Sequence, residues 1–189
     1  QTGTIAIGQN ALTALTSGSG NTAIGFEALK LNEDGDNNTA VGYEALETFE
    51  AASDGDGANT AVGWNALKLS DDGQYNTAIG ASSMDAILGG ASNVAIGSGS
   101  LGAANRDESF NVAIGANSMA DWQEGSGGGD VDYNIAIGLN AFLGGNIGSA
   151  SADQLGHIAI GAFVMDSAAM SNSANTGTIG IGHQALTAL

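Results

Sequence analysis

Acids make up nearly all the reactive chemistry this sequence carries. Twenty Asp and Glu residues stand against three Lys or Arg, two His and no Cys. Thiolate nucleophiles, thiolate metal sites and disulfides are therefore excluded. In Asn32-Glu-Asp-Gly-Asp-Asn37 and Ser53-Asp-Gly-Asp-Gly57, oxygen ligands at alternate positions surround a glycine, as at the start of a calcium loop. Asp34, Asp36, Asp54 and Asp56 are accordingly the candidate calcium ligands. Neither loop continues to the Glu that completes a twelve-residue site, so solvated acidic loops are the plainer reading and no cofactor is expected. His157 and His183 lie 26 residues apart with no third His, which would leave zinc dependent on loop carboxylates. Exposed or stacking imidazoles are the simpler expectation. Gly97-Ser-Gly-Ser-Leu-Gly102 matches a dinucleotide fingerprint in letters only, because no amphipathic helix follows it. With no nucleophile elbow, P-loop or triad, the sequence offers no catalytic residue, and a non-enzyme is expected.

Binding without catalysis has better candidates. Phe26, Tyr43 and Trp64 each follow a glycine in consecutive copies of a repeat. Stacked, they form either a partner-binding aromatic strip or a ladder that stabilises the early part of a rod. Asn21, Asn38, Asn59, Asn76, Asn93, Asn111 and Asn134, joined by His157, open eight copies. Stacked amides that bond each other and the turn backbone make a structural ladder the leading reading, ahead of a ligand-binding one.

The repeat that spaces these residues is a nine-residue phrase centred on glycine. It recurs at Gly8, Gly25, Gly42, Gly63, Gly80, Gly97, Gly115, Gly138, Gly161 and Gly182, at intervals of 17 to 23 residues. Such self-similarity means stacked coils. The residue before each glycine is Ile or Val, the one before that is Ala in nine copies, and the third before is Ile, Val or Thr. The β-branched rows share one strand face, and a large apolar residue four after the glycine reads as a second buried row. A short strand, a glycine and a second short strand make one coil of an all-β parallel β-solenoid, predicted as a single repeat domain over residues 1–189. Stacked at the inter-strand spacing, the coils would build a rod roughly 45–50 Å long. Over Glu44–Ala52 the alternative is a helix, since the residues there are good helix formers.

Thirty-one glycines, no proline and few aromatics fit thin stacked turns better than a two-layer domain. No apolar run approaches the roughly 18 residues that a spanning helix needs, and membrane insertion is not expected. The net charge of −17 lies mostly in the connecting loops, since eighteen of the twenty acids fall outside the phrases. Nucleic acid and anionic membranes are disfavoured as partners. The connectors Ala120–Tyr133 and Leu143–Gly156, each 14 residues against a minimum of 8, are expected to project and carry contacts.

The pattern Asn-Thr/Val-Ala-Ile/Val-Gly, best seen in Asn38–Leu46, resembles the head repeats of YadA-like trimeric autotransporter adhesins and related repeats in bacteriophage tail fibres. The match spans all ten copies. The resemblance implies a left-handed β-roll of about ten coils, with three identical chains side by side in a homotrimeric fibre. It also implies an extracellular module of a phage or virion fibre that presents an attachment surface through its loops. The implied partners are a cell-surface receptor or glycan, or neighbouring virion and fibre proteins. The alternative is the head of a bacterial trimeric autotransporter adhesin that binds matrix or other cells. The coils here are longer than is usual in that family, so each carries extra loop. The nearly identical opening and closing words, Gly3–Leu15 and Gly177–Leu189, suggest a segment of a longer fibre. An exposed Ile/Val stripe would seek a partner, and oligomerisation would bury it.

Overall fold

The computed structural model describes residues 2–51, 56–102, 107–121, 130–144, 153–166 and 175–187. Its strands, in chain order, are β1 (Ile5–Ile7), β2 (Thr22–Ile24), β3 (Thr39–Val41), β4 (Thr60–Val62), β5 (Thr77–Ile79), β6 (Val94–Ile96) and β7 (Val112–Ile114). There follow β8 (Val131–Asp132), β9 (Ile135–Ile137), β10 (Gln154–Leu155), β11 (Ile158–Ile160), β12 (Asn175–Thr176) and β13 (Ile179–Ile181). One three-residue strand from each phrase enters a single ten-stranded parallel sheet, ordered β1 to β7, then β9, β11 and β13. Equivalent residues pair throughout, with Ala23 beside Ala40 and Ala95 beside Ala113. Parallel pairing of consecutive repeats requires the chain to travel once around between strands, and the result is a parallel β-solenoid.

Alanine decides which side of this sheet is the interior. Ala23, Ala40, Ala61, Ala78, Ala95, Ala113, Ala136 and Ala159 are fully buried, whereas the Ile/Val rows on either side of them face outward. In the single chain the Ile/Val row is thus an outward stripe, and of the two rows of large residues only the one four after the glycine is buried. Strand side chains alternate, and the narrow lumen admits a methyl group on the sheet side because Leu29, Leu46, Leu67, Met84, Leu101, Met119 and Phe142 fill it from the other.

That second row is buried, but no strand carries it. Glu27 and Leu29 have φ of 54° and 50°, Asn65 and Leu67 have 55° and 52°, and the pattern recurs from coil to coil. The intervening residues keep negative φ, so the backbone curls. Consecutive residues such as Ala28 and Leu29 are therefore both buried, which a strand with one face in solvent does not permit. Hydrogen bonds still run between coils here, as from Glu27 N–H to Gln9 O (2.9 Å) and from Leu29 N–H to Ala45 O (3.1 Å). The same left-handed residues, Glu44 and Leu46 at φ 52°, preclude the alternative helix over residues 44–51; Ala52 lies outside the described residues.

Each phrase glycine has φ between 119° and 147°, and from Gly8 to Gly161 an added Cβ would overlap the carbonyl group of the next glycine in the column. Glycine is thus required twice over, by conformation and by the close approach of backbones.

The longer coils carry a feature the sequence reading missed. Within their connectors, β8, β10 and β12 form a second, three-stranded parallel sheet in the order β12-β10-β8.

Candidate functional site

Outside the sheet lies an uncharged face. Its two central columns are the outward Ile, Val and Thr rows, with Ile24 and Ile96 each 37% exposed. Two margin columns flank them. The first runs Gly3, Gly20, Asn37, Ala58, Tyr75, Ser92, Phe110, Tyr133, Gly156 and Gly177, one residue ahead of each buried Asn or its equivalent. The second is the position after the phrase glycine, and it includes Phe26, Tyr43, Trp64 and Leu139. Four columns of ten rungs give forty positions without one Asp, Glu, Lys or Arg, in a chain with 23 such residues elsewhere.

The first margin is held in a left-handed backbone, with φ between 56° and 70° at every rung. For Tyr75, Phe110 and Tyr133 this conformation costs roughly 1–3 kcal/mol each. The coil before supplies the restraint: Tyr75 N–H donates to Gly57 O (2.9 Å) and Phe110 N–H to Ala91 O (3.0 Å). All three rings are at least half exposed, and those of Phe110 and Tyr133 stack at 5.0 Å and 1°. The sequence reading missed this column because it falls one residue outside the nine-residue phrase. Of the predicted strip in the second margin, Phe26 and Tyr43 stack at 4.9 Å and 14°, and Trp64 on the next rung is 55% exposed.

The Asn column is structural. Asn38 N–H donates to Asn21 Oδ1 (2.9 Å), Asn76 N–H to Asn59 Oδ1 (3.0 Å) and Asn134 N–H to Asn111 Oδ1 (3.0 Å), with every member fully buried. His157 joins the ladder: its N–H donates to Asn134 Oδ1 (2.9 Å) and its Nδ1 accepts from Thr178 N–H (3.3 Å). It is fully buried and tilted against Phe142, whereas His183 is exposed and edge-on to Phe163. No three-residue metal cluster among the described residues includes either histidine.

Among the described residues, no cluster of three acids includes the calcium candidates Asp34, Asp36 or Asp56. Asp34 Oδ1 accepts from Ser17 Oγ (2.7 Å) and from Thr16 Oγ1, bonds that lower its pKa, while Asp36 Oδ1 accepts from Ser19 N–H (2.6 Å). Both carboxylates thus tie their loop to the coil before it. Asp56 meets Asp36 through its backbone carbonyl, and Asp54 lies outside the described residues. The one acidic triad among the described residues, Glu27, Glu44 and Glu47, is occupied by ammonium groups. Lys30 pairs with Glu27 (2.9 Å) and Glu47 (3.5 Å), and Lys68 with Glu44 and with Glu47 (3.6 Å). These partners lower the pKa of Glu27 and Glu44 and raise those of both lysines.

Gly97–Gly102 is an ordinary copy of the repeat, running from the end of β6 into turns with no following helix among the described residues. Most of the two long connectors, residues 122–129 and 145–152, lies outside the described residues. At their described ends, Asp132 Oδ1 accepts from Ser109 N–H (2.7 Å). Burial, with the charges of Asp130 and Asp153, raises the Asp132 pKa. Among the described residues, no helix is long and apolar enough to cross a membrane. Comparison with family models, curated proteins and solved structures finds no match to this chain.

Proposed function

We propose that this chain is a structural and adhesive module of an extracellular phage or virion fibre. In this reading three copies stand side by side, each a left-handed solenoid with one coil per strand of the ten-stranded sheet. The loops present the attachment surface to a receptor, a glycan or a neighbouring fibre protein, without a cofactor. The observation that carries the assembly is the uncharged face. Ten rungs by four columns span about 45 Å by about 20 Å, or about 900 Å². That is close to the roughly 800 Å² per partner of a stable interface, and the exposed Ile and Val side chains within it are the kind of apolar surface that marks an interaction site. The acids lie off this face, eighteen of the twenty in the connecting loops, where they repel another copy.

Sedimentation of the purified chain tests the assembly, with a trimer expected and a folded monomer refuting it. Ile114→Asp places a carboxylate on this face, and because Ile114 is only partly covered in the single chain, dissociation with the β-spectrum retained is expected. Attachment is tested by deleting six residues from within 122–129 or 145–152, which leaves β8 and β10 in place. Reduced binding to cells at nearly unchanged melting temperature is expected, and full binding by both deletion variants would refute the adhesive role of these connectors.

A further inference from the structure

Resting on the side-by-side assembly proposed above, we infer that the two margins of the uncharged face interlock between parallel neighbours, with the first margin of one copy seated against the second margin of the next at the same rung. The chain's own side-chain sizes point to this. On the rungs of β2, β3 and β4, the second margin is aromatic and the first is small or short: Phe26 with Gly20, Tyr43 with Asn37, and Trp64 with Ala58. On the rungs of β5 and β7 the sizes reverse, with Tyr75 against Ala81 and Phe110 against Ala116. The other rungs do not pair this way: Tyr133 and Leu139 at β9 are both large, Ser92 with Ser98 at β6 and Gly156 with Ala162 at β11 are both small, and Gly3 with Gln9 and Gly177 with His183 stand at the two ends.

In a closed ring of identical copies about an axis parallel to the rods, the contact is heterologous, so one margin must meet the other, and closure without translation places equal rungs side by side. On the rungs of β2, β3, β4, β5 and β7, the switch from second-margin to first-margin aromatics along the rod is then what fills each junction with a single ring.

The central columns fix the orientation. Thr22, Thr39, Thr60 and Thr77 occupy one half of the face, and Val or Ile takes that position from β6 onward. Antiparallel copies would set the four hydroxyls against Val94, Val112, Ile135 and Ile158, burying them without hydrogen-bonding partners. Parallel copies keep the hydroxyl-bearing half beside its own kind. The recognised partner is therefore a second copy of this chain, in the same direction and register.

A size swap tests the interlock. Tyr is tolerated in the first margin at the backbone geometry of Ala58, since Tyr75 has φ 58° and Ala58 has 56°. Ala58→Tyr should therefore fold but clash with a neighbour's Trp64 and weaken assembly by about tenfold or more in sedimentation velocity. Adding Trp64→Ala should restore assembly to within a few-fold of the unmodified chain. If the copies were antiparallel, Ala58 would face Phe110 instead, and restoration by Ala58→Tyr with Phe110→Ala would overturn the inference. So would undiminished assembly of Ala58→Tyr, or failure of Trp64→Ala to rescue it. A monomeric unmodified chain would instead refute the assembly reading itself.

Discussion

Removing one amide from the Asn ladder should cost a large share of the molecule's stability. Asn76 is fully buried and makes bonds in three directions. Its N–H donates to Asn59 Oδ1 (3.0 Å), its Nδ2 donates to Gly90 O (2.7 Å), and its Oδ1 accepts from Asn93 N–H (2.9 Å). Asn76→Leu, similar in volume, takes the donor from the Gly90 carbonyl and the acceptor from the Asn93 amide, both deep in the stack. At about 1–3 kcal/mol for each stranded group, the loss is about 2–6 kcal/mol, against a total stability of roughly 5–15 kcal/mol for an ordinary domain. Asn76→Asp separates the two contributions. It keeps the acceptor for Asn93 but at neutral pH aims a buried carboxylate at the Gly90 carbonyl. Burial should raise the folded pKa of the introduced group above its unfolded value of about 3.9. Its penalty is then full at pH 7 and shrinks as pH falls through the folded pKa, where the protonated acid can donate the missing bond. Urea unfolding of each variant beside the unmodified chain, at pH 7 and again near pH 4, measures both effects. A cost below about 1 kcal/mol for Asn76→Leu would refute the ladder's energetic role, as would an Asn76→Asp penalty that ignores pH.

Gly63→Ala should destabilise by about 2–6 kcal/mol, because φ is 141° and the new methyl overlaps the Gly80 carbonyl, whereas Gly177→Ala, with φ 69° and no atom within 4 Å, should cost only about 1–2 kcal/mol. Equal losses in denaturant melts would show that close packing of backbones is not what demands glycine. Asp132→Asn retains an acceptor for Ser109 N–H while removing a carboxylate whose folded pKa is raised. Since ionised Asp132 destabilises the fold at neutral pH and that cost fades as pH falls through the raised pKa, the variant should melt higher at pH 7 and lose its advantage near pH 3. No gain at pH 7 would refute this. In the proposed trimer three chains would carry 3 × −17 = −51, so NaCl should raise thermal stability through screening nearly as well as CaCl₂ at matched ionic strength. A saturable shift at low calcium that NaCl cannot reproduce would instead assign a site to Asp34 and Asp36, or to Asp54 and Asp56.

What the sequence revealed was whatever depends on size at a fixed offset: the glycine column, the Ala column and the Asn ladder each follow from a slot that only one kind of residue can fill. What it hid was conformation without a residue signature. Leu29 and Glu27 adopt positive φ although neither is glycine, so the segment after each glycine reads as a strand and folds as a curl. Alternation along Thr22-Ala-Ile24 announces two faces but not which of them is inside. The usual preference for large apolar residues in a core points to Ile24, and the width of the lumen selects Ala23. Tyr75, Phe110 and Tyr133 escaped notice because their column varies from Gly to Tyr, and two-residue strands such as β8 and β10 have no periodicity to detect. Spacing in sequence likewise could not say that the carboxylates of Asp34 and Asp36 each reach back to the coil before them.

The glycine column also lets the rod keep count. A coil that arrived one residue early would bring a Cβ to a place where only hydrogen fits, so misalignment is rejected where it occurs and is not passed to the next coil. Connectors can then vary between 17- and 23-residue spacings while Ala still meets Ala along the rod. Because phase is reset at every step, a whole coil can be gained or lost without retuning its neighbours, and the length of such a rod can drift in evolution independently of its cross-section.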